Sequence, residues 1–326
     1  METGTIKEQE LLLSVHDLVV EYKSGGQTVH AVNGVSFRLE EGETIALVGE
    51  TGAGKTSIAK ALMRILPDHA TQKCEGEIDF QGKELLALSE HEMQKIRGKH
   101  IAMIFQDPMT ALNPVMTIEK QIAESIIKHQ QCSKAEGIEK AREMLKTVGI
   151  SPDRGSAYPH QFSGGMKQRV VIALALACAP DLLIADEPTT ALDVTIQAQV
   201  LDLIANLKKQ YNMAMILITH DLGVVADTCD KIAVIYAGEV VESGTKEDIF
   251  LHPTHPYTIG LFEALPDLSK KVKRLSPIEG LPPDPVNLPE GCSFAPRCPH
   301  ATEACRKKIE LKEVSTGHYC RCIKAE

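Results

Sequence analysis

An α/β fold with a buried parallel sheet is what this sequence predicts, and three observations predict it. A short apolar stretch, Thr44-Ile45-Ala46-Leu47-Val48, runs into a glycine-rich loop and then into a helical pattern from Ser57 to Leu66. Further apolar strands, Ile101–Phe105, Asp181–Asp186 and Ala214–Thr219, alternate with helical segments, as the doubly covered strands of a parallel sheet do. The chain opens differently, with strand-like Leu11–Val15, Leu18–Tyr22 and Val29–Leu39 around the turn Ser24-Gly25-Gly26, which places an antiparallel β subdomain beside the core.

The loop itself reads Gly49-Glu50-Thr51-Gly52-Ala53-Gly54-Lys55-Thr56 and fits G-x-x-x-x-G-K-[ST] in the strand–loop–helix context that the motif requires. Gly49, Gly52 and Gly54 let the backbone turn successive N–H groups inward, where they and the helix N-terminus surround phosphate oxygens. Lys55 adds a cation for the β- and γ-phosphates, and the Thr56 hydroxyl suits Mg²⁺.

Tyr22, at the end of an early strand, can stack on an adenine face or serve as a plain strand aromatic. Gly76–Gly82 reads as strand and turn, and Ser89 with Glu92 three residues on spells a capping box. Gln106 follows the strand 101–105, at the carboxyl end where open α/β sheets bind ligands; an ordinary loop amide is its other reading. Residues 117–150 are helical by period, with Ile118, Ile122, Ile126 and Ile127 on one face and Ala141, Leu145 and Val148 on another, and Gly149 as the stop. This is a helical insertion.

Phe162-Ser163-Gly164-Gly165-Met166 then leads into the apolar helix Val170–Ala179. Ser163, Gly164 and Gly165 make either a second anion site at a helix N-terminus or a simple N-cap. The strand 181–186 ends in Asp186, suited to Mg²⁺ directly or through water, and in Glu187, suited to polarising an attacking water. The helix from Ala191-Leu192-Asp193 runs to about Tyr211, and the next strand ends at His220, a candidate sensor of a γ-phosphate. Ile232–Tyr236 and Val240–Glu242 close the pattern as a hairpin.

Composition narrows the function classes. A net charge of −9, no Trp and 4% aromatic residues disfavour nucleic-acid binding by bulk charge or base stacking. The stretch Met1–Glu10 lacks the basic and apolar regions of a signal peptide, and the longest apolar run, Val170–Ala179, is too short to span a bilayer. A cytosolic chain is expected, with any membrane role mediated by partners.

Residues 11–250 resemble the ATPase subunit of an ABC transporter, with its motifs in order: the phosphate loop 49–56, the Gln loop at Gln106, the signature 162–166, the second Walker motif 182–187, the D-loop 191–193 and the switch His220. Met166 departs from the common Gln of the signature, while the phosphate-facing Ser163 and Gly165 remain. The resemblance implies an ABC-type P-loop ATPase core with an antiparallel β subdomain and a helical subdomain at about 89–170. It implies two such domains paired head-to-tail, each ATP lying between one subunit's residues 49–57 and the other's Ser163, Gly164 and Gly165. Glu187 is then the general base, His220 contacts the γ-phosphate, and Thr56, Gln106 and Asp186 hold Mg²⁺.

Residues 251–326 carry ten of the 17 prolines. His252-Pro253-Thr254-His255-Pro256-Tyr257-Thr258 and Gly291-Cys292-Ser293-Phe294-Ala295-Pro296-Arg297-Cys298-Pro299 resemble the C-terminal extension of dipeptide and oligopeptide ABC importers. That implies a second, distinct ATPase subunit, two membrane permease subunits, an extracellular solute-binding protein, and a peripheral place on the cytoplasmic face of the membrane. Nickel and other solutes are cargoes of the same group, and a soluble non-transport ABC ATPase is the rival class. The single ATPase domain and the lack of sustained heptads speak against that rival.

Cys292, Cys298 and Cys305 are spaced C-x5-C-x6-C, with Cys320 or Cys322 as a fourth thiol. In a reducing compartment such a cluster favours metal over disulfides, and four thiolates suit a 4Fe-4S cluster or zinc. The wide spacing favours the cluster. In the family the last cysteine falls five residues after a Gly, here Gly317, which favours Cys322.

Overall fold

The structure is a computed structural model that describes residues 10–190, 192–264 and 278–325; the start of the chain and Ala191 of the D-loop lie outside the described residues. The chain forms two compact units.

The first unit contains Arg38–Thr44 and Phe80–Thr219. Its centre is three parallel strands, Ile101–Ile104, Leu182–Asp186 and Ala214–Ile218, paired in that order with Met103 opposite Ile184 and Ile184 opposite Ile216. Every residue of the three is buried, which is why they read as unbroken apolar runs rather than alternating ones. The helical insertion is two helices, Ile118–Gln130 and Lys134–Thr147. They approach at Gly137, where a Cβ would come within 2.5 Å of Ile127 Cγ1, so only glycine permits the contact. Ser133 opens the second helix with a capping box to Glu136, and Ser89 with Glu92 does the same for Glu90–Ile96 as its spelling predicts. Gly149, at φ 76°, ends the insertion. The signature helix runs Gly164–Leu176, beginning six residues earlier than the apolar run suggests because Ser163 caps it.

The second unit contains Ser14–Phe37, Ile45–Asp79 and the residues from His220 onward. The strands Leu11–Ser24, Gln27–Glu40 and Thr71–Phe80 lie side by side with Leu11–Ser24 at the centre. The two short strands expected at 11–15 and 18–22 are one long strand, bent at Asp17, whose φ of 47° turns it without ending it. Its hairpin to Gln27–Glu40 turns on Gly25 and Gly26, both at positive φ as a type I′ turn demands. Thr44–Val48 pairs in parallel with Lys231–Tyr236, which pairs antiparallel with Glu239–Thr245 through Ala237 and Gly238, again both at positive φ. The proline-rich tail continues this sheet. His318–Cys320 pairs with Glu239–Thr245, and Lys312–Ser315 with His318–Cys320.

The tail is anchored at Glu242, which is fully buried. Its carboxylate accepts from Thr254 N at 2.6 Å and His255 N at 3.0 Å, and lies 2.8 Å from His318 Nε2. A buried carboxylate without such partners would cost several kcal/mol.

Candidate functional site

The phosphate loop bridges the strand Thr44–Val48 and the helix Lys55–Leu62. Its glycines answer to their surroundings. A Cβ on Gly49 would overlap the Ile235 carbonyl, and one on Gly54, at φ 100°, would overlap the Ala31 carbonyl. The loop is fastened by Ala53 N donating to Glu50 O at 3.1 Å and by Gly238 N donating to Ala53 O at 3.0 Å. Lys55 is buried, and its Nζ donates to Gly49 O at 2.7 Å and Glu50 O at 2.9 Å. The ammonium therefore lies against the loop it serves. Tyr22 Oη donates to Ser57 Oγ at 3.1 Å, which ties that strand aromatic to the first turn of the helix after the loop.

In the first unit the strand ends bring Gln106 and Glu187 together. Gln106 Nε2 donates to Glu187 Oε2 at 2.9 Å, and Thr190 Oγ1 donates to the same oxygen at 2.9 Å. Glu187 has φ 46°, a left-handed conformation rare outside glycine, and its N–H donates to Ile218 O at 2.9 Å. Asp186, one residue earlier, is buried while Gln106 is exposed. The signature helix supports this corner. Gln168, 1% exposed, donates from Nε2 to Pro188 O at 2.5 Å, just beyond Glu187. Gly165 leaves room for Ile196, whose Cγ2 would be 2.7 Å from a Cβ there. Ser163 Oγ accepts from Met166 N at 3.4 Å, so the N-cap reading holds for this hydroxyl, with Gly164 opening the helix. His220 is exposed, followed by Asp221, which caps Leu222–Thr228 by accepting from Gly223 N at 2.9 Å.

The tail cysteines converge. Cys292, Cys298, Cys305 and Cys322 line one small pocket together with His255 and Phe294, and Cys320 is not among its walls. Cys320 is fully buried on the strand next to Glu239–Thr245, opposite Glu242. All nine cysteines are free. Burial pushes the Cys292 and Cys298 thiols above their usual range, and neighbouring cysteines add to it. Burial also pulls His255 down to about 4, so its ring is neutral and Nδ1 accepts from Tyr257 N at 3.1 Å. Among the described residues no group of three or more His, Cys, Asp or Glu is drawn together tightly enough to hold one metal ion.

Residues 32–190 match the sequence profile of the ABC transporter family, and residues 241–305 match the oligopeptide/dipeptide transporter C-terminal region. The dipeptide transport ATP-binding protein DppD of Bacillus subtilis is 52% identical over 96% of this chain and 94% of its own length. The chain belongs to the ABC transporter ATPase family, in its dipeptide and oligopeptide transport branch. The oligopeptide transport ATP-binding protein OppD of Escherichia coli is 48% identical over 99% of this chain and 97% of its own length. Among solved structures, a dimeric ATP-binding cassette in a post-hydrolysis state bound to ADP and Pi aligns with a TM-score of 0.65. It is 27% identical and covers 72% of this chain and 98% of its own. As a member of this family the chain is an ABC-type ATPase. Among the described residues no helix is long and apolar enough to cross a membrane.

Sequence reasoning missed the residues that tie the tail to the rest of its unit. Tyr257 and Arg297 lie inside the two tail stretches that carry the importer likeness but had no role assigned there, and Glu242 and His318 carry no motif of their own.

Proposed function

We propose that this chain is the ATP-hydrolysing motor subunit of an importer of di- or oligopeptides, with residues 1–250 as the ATPase domain and 251–326 as the importer-type extension. The hydrogen bond between Gln106 and Glu187 carries the reading. It holds a carboxylate oxygen at the carboxyl end of a parallel strand, where a general base for water has to be. Glu187 takes the proton of the attacking water, and His220 orients against the γ-phosphate. Gly49–Ser57 receives the phosphates through backbone N–H groups and Lys55, with Tyr22 beside Ser57 on the adenosine side. Ser163, Gly164 and Gly165 serve the nucleotide of the partner ATPase. Thr56, Gln106 and the buried Asp186 supply the oxygen donors that Mg²⁺ prefers, and Mg²⁺ when bound neutralises phosphate charge.

The partners of this reading are a second ATPase subunit, distinct from this one, two permease subunits and an extracellular solute-binding protein. The chain sits peripherally on the cytoplasmic face of the membrane. Nucleic acid is not a partner. The peptide cargo follows from the names of full-length relatives and from the tail, and nickel or another solute is the alternative cargo.

For the tail we propose a 4Fe-4S cluster on Cys292, Cys298, Cys305 and Cys322. Four thiols on the walls of one pocket, spaced more widely along the chain than the cysteine pairs of zinc sites, support this reading over a single zinc. Such a group would cross-link a segment with little core of its own.

The cargo reading is tested by ATP hydrolysis of the complex reconstituted with its permeases. Peptide-loaded binding protein should stimulate hydrolysis several-fold. Stimulation by nickel-loaded binding protein and none by peptide would reassign the cargo.

A further inference from the structure

Glu50, the second residue of the phosphate loop, is held twice by the tail. Its backbone N–H donates to Tyr257 Oη at 2.9 Å. Its carboxylate receives both arms of Arg297, Nη1 to Oε2 at 2.8 Å and Nη2 to Oε1 at 3.1 Å. The Arg297 side chain is only 5% exposed, and its other bonds fix it in place. Nε donates to Glu279 O at 3.0 Å, Nη2 to Ile278 O at 3.3 Å and Nη1 to Tyr236 Oη at 3.3 Å. The guanidinium carbon lies 5.8 Å from the Tyr236 ring centre and 6.0 Å from that of Phe294. Tyr236, Tyr257 and Phe294 pack against one another with centroids 4.5 to 5.4 Å apart. A planar fork held on this many sides has one orientation, which is what a bidentate carboxylate contact needs.

The chemistry of the loop gives the contact a purpose. A loop that receives a triphosphate is a poor place for an uncompensated carboxylate, because like charges in a partly desolvated site repel. Glu50 is such a carboxylate, and its own carbonyl also accepts from Lys55 Nζ. Arg297 compensates the charge, and Tyr257 fixes the peptide plane from which the loop starts its turn. We propose that Arg297 and Tyr257 are positioning residues of the phosphate loop, so that the C-terminal tail is a working part of the nucleotide site. The proposal rests on the reading of residues 49–56 as an ATP site. The loop that carries Arg297 also carries Cys292 and Cys298, two of the cysteines that line the tail pocket.

The test is equilibrium binding of ATP to the full chain, with melting temperature recorded for each variant and KM and kcat measured in the assembled complex. R297Q leaves Glu50 uncompensated and should weaken ATP binding about tenfold, seen as a rise in KM rather than a fall in kcat. Adding E50Q to R297Q should recover most of that loss, because it removes the carboxylate that repels phosphate. A purely structural role for Arg297 would not be rescued in this way. Wild-type affinity in R297Q, or a weakened affinity that E50Q does not improve at all, overturns the proposal. If R297Q does not fold, Y257F decides: about threefold weaker ATP binding supports the proposal, and unchanged binding overturns it. A wild-type chain that binds no ATP would remove the site reading itself, and this inference with it.

Discussion

Glu187 occupies a left-handed backbone conformation that costs of order 1 kcal/mol or more outside glycine, and two side chains converge on its Oε2. Strain with such support marks a side chain whose direction matters. In the assembled complex, E187Q should keep ATP binding within a factor of about three while turnover at its site falls at least a hundredfold, the range expected when a general base is lost. A binding assay beside a phosphate-release assay checks both halves, and undiminished turnover would remove Glu187 from the role. Residues of this kind were legible in the sequence because their chemistry depends on near neighbours in the chain. Gly49, Gly54, Lys55, Asp186 and Glu187 each sit in a short spelled motif. Arg297 was not legible in the same way, since it meets Glu50 across 247 positions of sequence and no local pattern announces such a pair.

Elements were readable where one rule sufficed. The buried strands at 101, 182 and 214 stand out by apolar run, and Ser89 with Glu92 by its capping box. An error fell where a local device overrode the pattern: Asp17 at positive φ joins two expected strands into one, whereas Ser163, read as an N-cap, does start the signature helix ahead of its apolar stretch. The strands Lys312–Ser315 and His318–Cys320 were missed because they are short and exist by pairing onto Glu239–Thr245. The same pairing sets Cys320 into the sheet opposite Glu242, and Cys322, two residues on, lines the cysteine cavity. The tail as an element therefore makes a discriminating prediction. Chain purified without oxygen should carry about four irons and four sulfides with a broad visible band. C322S should lose them, while C320S should keep them. Zinc at one per chain, or a cluster that survives C322S and not C320S, would contradict the ligand set.

At the scale of the whole molecule, the evenly mixed composition and net charge of −9 exclude more than they specify. The motifs of nucleotide chemistry are spelled in this chain, while no motif in it spells a cargo. That is why the ATPase could be read from residues and the cargo only from likeness. The full-length match to peptide-transport ATP-binding proteins and the matching C-terminal region join the two halves of the account. The measurement that tests this most directly is accumulation of labelled di- and oligopeptides by cells whose only copy of this subunit is wild type or E187Q. The account predicts accumulation with the wild-type subunit and none above background with E187Q, although both assemble with the membrane subunits. Equal accumulation in the two would mean that ATP hydrolysis by this chain does not drive peptide uptake.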